Sequence, residues 1–169
     1  GNQAGRALEI RARGTCDTVL LINDPSGRWH YVDDADETLH PRIRLDQARG
    51  GTYRIWVGTY NNRTCAATLT AETFGRAPGG GQPSPLPSSA SCPATTGAGR
   101  AHLSYSSDQL WSPRTHQLIA GGNLNLRNCG TVPGVGHIVR QADFTLNFAG
   151  NQIGRALELR ARGDCDTVL

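Results

Sequence analysis

The 169-residue chain has no Lys and no Met, and only 6% of its residues are aromatic. With Lys absent, all 17 basic residues are Arg, set against 14 acidic residues for a net charge of +3. The arginines are scattered singly along the chain. Nucleic-acid recognition needs a basic patch interleaved with aromatics, and none is visible, so nucleic acid is not an expected partner. No apolar run approaches the roughly 18 residues of a membrane helix, so no membrane span is expected. Lacking Met and a signal peptide, the sequence reads as a mature, processed or excised segment. It also lacks GxSxG and any other nucleophile motif, and its five histidines are dispersed, so no enzymatic role is expected.

What the chain does have is 21 Gly and 9 Pro, a turn-rich composition that suggests an all-β protein. It also has a repeat. GNQAGRALEIRARGTCDTVL (1–20) returns as GNQIGRALELRARGDCDTVL (150–169), differing only at 4/153, 10/159 and 15/164. The period is 149 residues. Cys165 is therefore the second copy of Cys16, and one period holds four cysteines: Cys16, Cys65, Cys92 and Cys129. An even count, with no CxxC and no His at ligand spacing, favours two disulfides over a metal site. We pair Cys16 with Cys65 and Cys92 with Cys129, which implies an oxidising, extracellular or periplasmic compartment.

Between 7 and 74 the residues alternate apolar and polar between turn signals, as strands do. The expected strands are ALEIRAR (7–13), CDTVLLI (16–22), RWHYV (28–32), PRIRL (41–45), TYRIWVGTY (52–60) and CAATLTAETF (65–74). CDTVLLI is nearly continuous, as in a central strand, and NDPSG (23–27) is a hairpin turn whose Asn and Asp can cap it. Residues 75–99, rich in Pro, Gly and Ser, read as an extended linker with Cys92 tacking its far end to the following unit. AHLSYSS (101–107), GNLNLRNC (122–129) and HIVRQADFTLNF (137–148) are further strands, the last running straight into the second copy of the opening sequence. The division is thus a sandwich portion at 1–74 lacking its first strand, a linker at 75–99, and at 100–169 the first strands of a next repeat.

GRALEIRARGTCDTVLLINDPSGRWHYVDD, PRIRL and GTYRIWVGTY together resemble the bacterial pre-peptidase C-terminal (PPC) domain superfamily. SYSSDQLWSP (104–113) resembles the start of a module preceding that sandwich in related secreted proteins. The resemblance implies a jelly-roll-like antiparallel β-sandwich of a secreted protein, often behind a protease domain. It implies no catalytic residues here, since fold does not fix function. With the strands split over the chain's two ends, two arrangements are open. The halves complete one sandwich within a chain, leaving a duplicate strand, or the C-terminal half completes the next copy, building a head-to-tail array. We expect the array, with other copies of this chain as partners in an extracellular fibre or surface protein.

The acidic stretch Asp33, Asp34, Asp36 and Glu37, with Asp24 nearby, is a candidate Ca²⁺ site. Some PPC-type domains bind calcium, and His30 and His40 flank the stretch. The competing reading is a solvated acidic turn partly neutralised by Arg42 and Arg44. Trp29, Tyr31, Trp56 and Tyr60 are a candidate polysaccharide platform, against the reading that Trp56 is simply packed. A carbohydrate- or calcium-binding accessory domain of a secreted hydrolase is the alternative function. Asn62-Arg63-Thr64 fits the N-glycosylation triplet at a hairpin tip.

Overall fold

The computed structural model describes residues 8–35, 40–46, 48–74, 92–149 and 158–160. These form strands β1 (Leu8–Gly14), β2 (Thr18–Asn23), β3 (Trp29–Val32), β4 (Arg42–Leu45), β5 (Gly51–Thr59) and β6 (Cys65–Thr73). They continue with β7 (Ala101–Ser106), β8 (Arg114–Ala120), β9 (Leu124–Asn125), β10 (His137–Ile138), β11 (Phe144–Ala149) and β12 (Glu158–Arg160). Two single 3-10 turns, Gln109–Trp111 and Leu126–Asn128, complete the set, and no α-helix occurs among the described residues. No helix there is long and apolar enough to cross a membrane.

The strands build an all-β sandwich. One sheet runs β4-β1-β12-β6-β8. The other runs β3-β2-β5-β10-β9, with β11 also paired to β5 and β7 to β11. Pairing is antiparallel apart from β1 with β12 and β7 with β11. Strands from both ends of the chain enter the same two sheets: β8 pairs β6, and β11 pairs β5 from Phe144↔Ile55 to Phe148↔Gly51.

β2 shows why CDTVLLI is almost unbroken in apolar character. It lies between β3 and β5 with all six residues buried. Successive strand residues face opposite sides, and here both sides are covered. Leu20 and Ile22 join Tyr53, Ile55, Val57, Leu69 and Leu146 in the core between the sheets. Val19 and Leu21 join Trp56, Leu126, Val132 and Ile138 in a second cluster, closed by the Cys92–Cys129 disulfide. Segments drawn from 92–142 thus cap the outer face of the second sheet. Each such side chain contributes roughly 1.5–3 kcal/mol on full burial.

Three sequence expectations are revised. HIVRQADFTLNF is two strands, β10 and β11, because Asp143 interrupts the ladder: its Oδ2 accepts the Val57 N–H at 3.0 Å where a strand carbonyl would otherwise do so. GNLNLRNC forms only the short β9 before a 3-10 turn, capped by the Asn125 side chain accepting from the Arg127 N–H. RTHQLIA (114–120), not expected as a strand, is β8 at the sheet edge. The NDPSG turn forms as read, with Gly27 N–H donating to Asp24 O and Gly27 at φ +83°. Most of the expected linker, 75–91, lies outside the described residues.

Candidate functional site

The two copies of the repeated sequence meet at β6. One edge of β6 pairs with β8, from Cys65↔Ala120 to Leu69↔His116. Its other edge pairs antiparallel with β1, placing Glu9 opposite Glu72 and Arg11 opposite Thr70. β12 takes the same edge in the same register, with Glu158 opposite Glu72 and Arg160 opposite Thr70. Glu158 and Arg160 are the period equivalents of Glu9 and Arg11, and the two strands run parallel with the equivalent residues Ile10 and Leu159 opposed. A strand edge carries one row of backbone donors and acceptors, so it pairs fully with one neighbour at a time. β6 therefore offers one place to two near-identical strands.

Each claimant is held near that place by its chain neighbour. β1 leads through residues 15–17 into β2, which pairs with β5. β12 follows β11 through residues 150–157, and β11 also pairs with β5. The corner after β1 is closed by the Cys16–Cys65 disulfide, with Cα atoms 6.1 Å apart. Thr15 N–H donates to Ala66 O beside it. Both expected disulfides are present.

The acidic candidates separate. Asp24 turns into the hairpin: Oδ1 accepts from Ser26 N–H, Ser26 Oγ–H and Arg28 N–H, and Oδ2 lies 3.0 Å from His30 Nε2. Burial would raise its carboxyl, but the hydrogen bonds from His30, Ser26 and Arg28 outweigh that and lower it to about 2. Asp33 and Asp34 lie instead near Asp17, whose carboxyl is raised by burial and then by those two charges. Asp17 Oδ1 is buried without a hydrogen-bond partner. Asp36 and Glu37 lie outside the described residues, and among those described no group of three metal-ligating side chains could hold an ion.

The aromatic candidates do not share an exposed face. Trp56 is 0% exposed, its ring 5.4 Å from half-buried Trp29, and its Nε1–H points at Arg140 O. Tyr31 donates its hydroxyl to Val135 O at 2.8 Å, and burial pushes it up to about 12. Tyr60 alone of the four is exposed, at 44%. Asn62 and Thr64 sit in an exposed β5–β6 tip.

Sequence reasoning missed Asp17 and Asp143. A signal for Asp143 was present in part, since Arg140, Gln141 and Asp143 interrupt the apolar alternation of the expected strand and mark a break. Asp143 is 5% exposed, with Arg100 Nη1 3.6 Å away. Burial raises its carboxyl to about 6, against the Val57 hydrogen bond and the Arg100 charge. Comparison with protein-family models, curated proteins and solved structures finds no match for this chain.

Proposed function

We propose that this chain is a non-enzymatic structural repeat of a secreted extracellular fibre or surface protein, built on a PPC-like sandwich. Copies join head-to-tail by strand complementation: the second copy of the repeated strand in one unit fills the β6 edge of the next. One observation carries the reading. β1 and β12 address the same residues of β6, Glu72 and Thr70, in the same register. A fold with one place and two claimants is satisfied when the surplus strand pairs in a neighbour, and such a heterologous contact propagates. The two disulfides support an oxidising, extracellular setting.

The test compares the full chain with a version ending at residue 149, which keeps β1 and drops β12. Light scattering should give concentration-dependent oligomers for the full chain and a monomer for the shorter one. Electron micrographs should then show filaments whose axial repeat matches one sandwich. A full chain that stays monomeric at millimolar concentration sinks the proposal.

A further inference from the structure

The β5–β6 hairpin ends in a tip whose backbone is pinned and whose side chains are not. Thr59 is 0% exposed, and its Oγ1–H donates to Asn61 O at 2.7 Å while lying 2.6 Å from Arg63 O. Arg63 N–H donates to Asn61 O at 2.8 Å. Gly121 packs against the same turn at φ +101°, where a Cβ would fall 2.5 Å from Arg63 O. The Cys16–Cys65 disulfide closes the tip at its β6 end. On this anchorage residues 60–64 are all exposed. The Asn62 and Thr64 side chains make no hydrogen bond among the described residues. They are the first and third residues of an Asn-x-Thr triplet, the acceptor pattern for N-linked sugar. A pinned backbone carrying open side chains is how a fold presents a loop for recognition.

Two residues before Asn62 stands Tyr60, 44% exposed, its hydroxyl also without a hydrogen bond among the described residues. Trp29, Tyr31 and Trp56 are taken up by the second cluster, which leaves Tyr60 as the aromatic of β5 that faces solvent. An aromatic face offers apolar area to the C–H side of a sugar ring. We infer that Asn62 carries an N-linked glycan whose first sugar packs on the Tyr60 ring. The inference rests on the secreted part of the reading above and not on strand complementation. The donor is an oligosaccharide on a lipid-linked pyrophosphate, transferred by a membrane-bound enzyme of the secretory route. Asn62 Nδ2 attacks the anomeric carbon, and the carbon–oxygen bond to pyrophosphate breaks with its electron pair going to the pyrophosphate. A carbon–nitrogen bond forms, and the amide gives one proton to the transferase's base. Thr64 Oγ–H completes the triplet that the transferase reads.

The test starts from the protein isolated from its natural source. Digestion after Arg54 and Arg63 gives a peptide that holds Asn62 and no cysteine. Amidase release of the glycan in heavy-oxygen water should leave a labelled Asp at position 62 and an unlabelled Asn61. Disulfides are mapped on the same sample. A bare Asn62 in a chain whose Cys16 and Cys65 are bonded overturns the inference and leaves the secreted reading standing. A bare Asn62 in a chain with free cysteines overturns both. The Tyr60 contact is tested in chains secreted from a host that carries the transferase. Removing the glycan should lower the melting temperature by about 2–4 °C, the scale of one aromatic contact in a chain of this size. In Tyr60→Ala the same removal should change nothing, and an undiminished shift there overturns the packing on Tyr60. Comparing glycan-on with glycan-off within each chain cancels any direct effect of the substitution on folding. Thr64→Ala should abolish attachment and Thr64→Ser restore it.

Discussion

Asp143 supplies the sharpest energetic prediction. Its carboxyl replaces a strand carbonyl in the gap between β10 and β11, accepting the Val57 N–H in a site where it is only 5% exposed. Raising a carboxyl from 3.8 to about 6 corresponds to about 3 kcal/mol of differential cost for its charged form. The folded state holds the proton more tightly than the unfolded state, so the charged form weakens the fold. Stability should therefore fall by about 3 kcal/mol as pH rises from 3.8 to about 6, and then level off. Asp17, also raised, adds to this trend in the same direction. Asp24 acts oppositely and lower, since its stabilisation is complete above 3.8 and is lost as pH falls through about 2.

Asp143→Asn keeps an acceptor for Val57 and removes the charge. It should flatten most of the slope between pH 4 and 6 and raise stability at pH 7.5 by up to about 3 kcal/mol. Asp143→Ala leaves the Val57 N–H unpaired and should cost about 1–3 kcal/mol relative to the Asn variant. Urea unfolding followed by tryptophan fluorescence, in half-unit steps from pH 4 to 7.5, measures all three chains. If Asp143→Asn retains the parent's slope, or is the less stable chain at pH 7.5, the carboxyl is not desolvated as argued.

Three further outcomes follow from the same packing. Gly134→Ala should cost about 1–3 kcal/mol, read as a lowered melting temperature, because φ is +103° there and a Cβ would fall 2.2 Å from the Tyr31 ring. Cys92→Ser with Cys129→Ser opens a crosslink of sequence separation 37 and should cost up to about 4 kcal/mol. Its fluorescence should shift to the red as the cap over Trp56 loosens. Trp56→Ala should cost about 3–5 kcal/mol, and any lost polysaccharide binding should track unfolding rather than a missing contact face.

How much of this was legible in the sequence depends on how local the cause was. CDTVLLI could be read as a central strand because both faces of β2 are covered, and its composition records that directly. The NDPSG turn was legible because Asp24 and Gly27 act within five residues. β8 was not, since Ile119 is 60% exposed on what the alternation makes the polar side, blurring the period. The division of the acidic residues was hidden for a different reason. Asp24 answers to its own turn, whereas Asp33 and Asp34 answer to Asp17, brought close only when β2 and β3 pair. Likewise nothing local tells Asp143 that its partner is Val57, 86 residues earlier.

The repeat was visible at once, but its consequence needed the register. Had β1 and β12 paired with different strands, the duplication would enlarge the sheet. Because both pair with Thr70 and Glu72, the duplication creates competition instead. Over the three residues of β12 the two copies differ only in Ile10 against Leu159, but β1 pairs with β6 at six positions against three, also pairs with β4, and is tied to β6 by the Cys16–Cys65 disulfide. Within one chain β1 is therefore the favoured occupant of that edge. What decides occupancy is tethering. A strand linked to its site sees an effective concentration on the order of millimolar, and both copies are so linked, one through β2 and the other through β11. On the proposed head-to-tail reading, a second chain's copy enters the edge only where its local concentration rivals that tether, as at a crowded surface. Dilute solution favours closed monomers, and local crowding favours exchange.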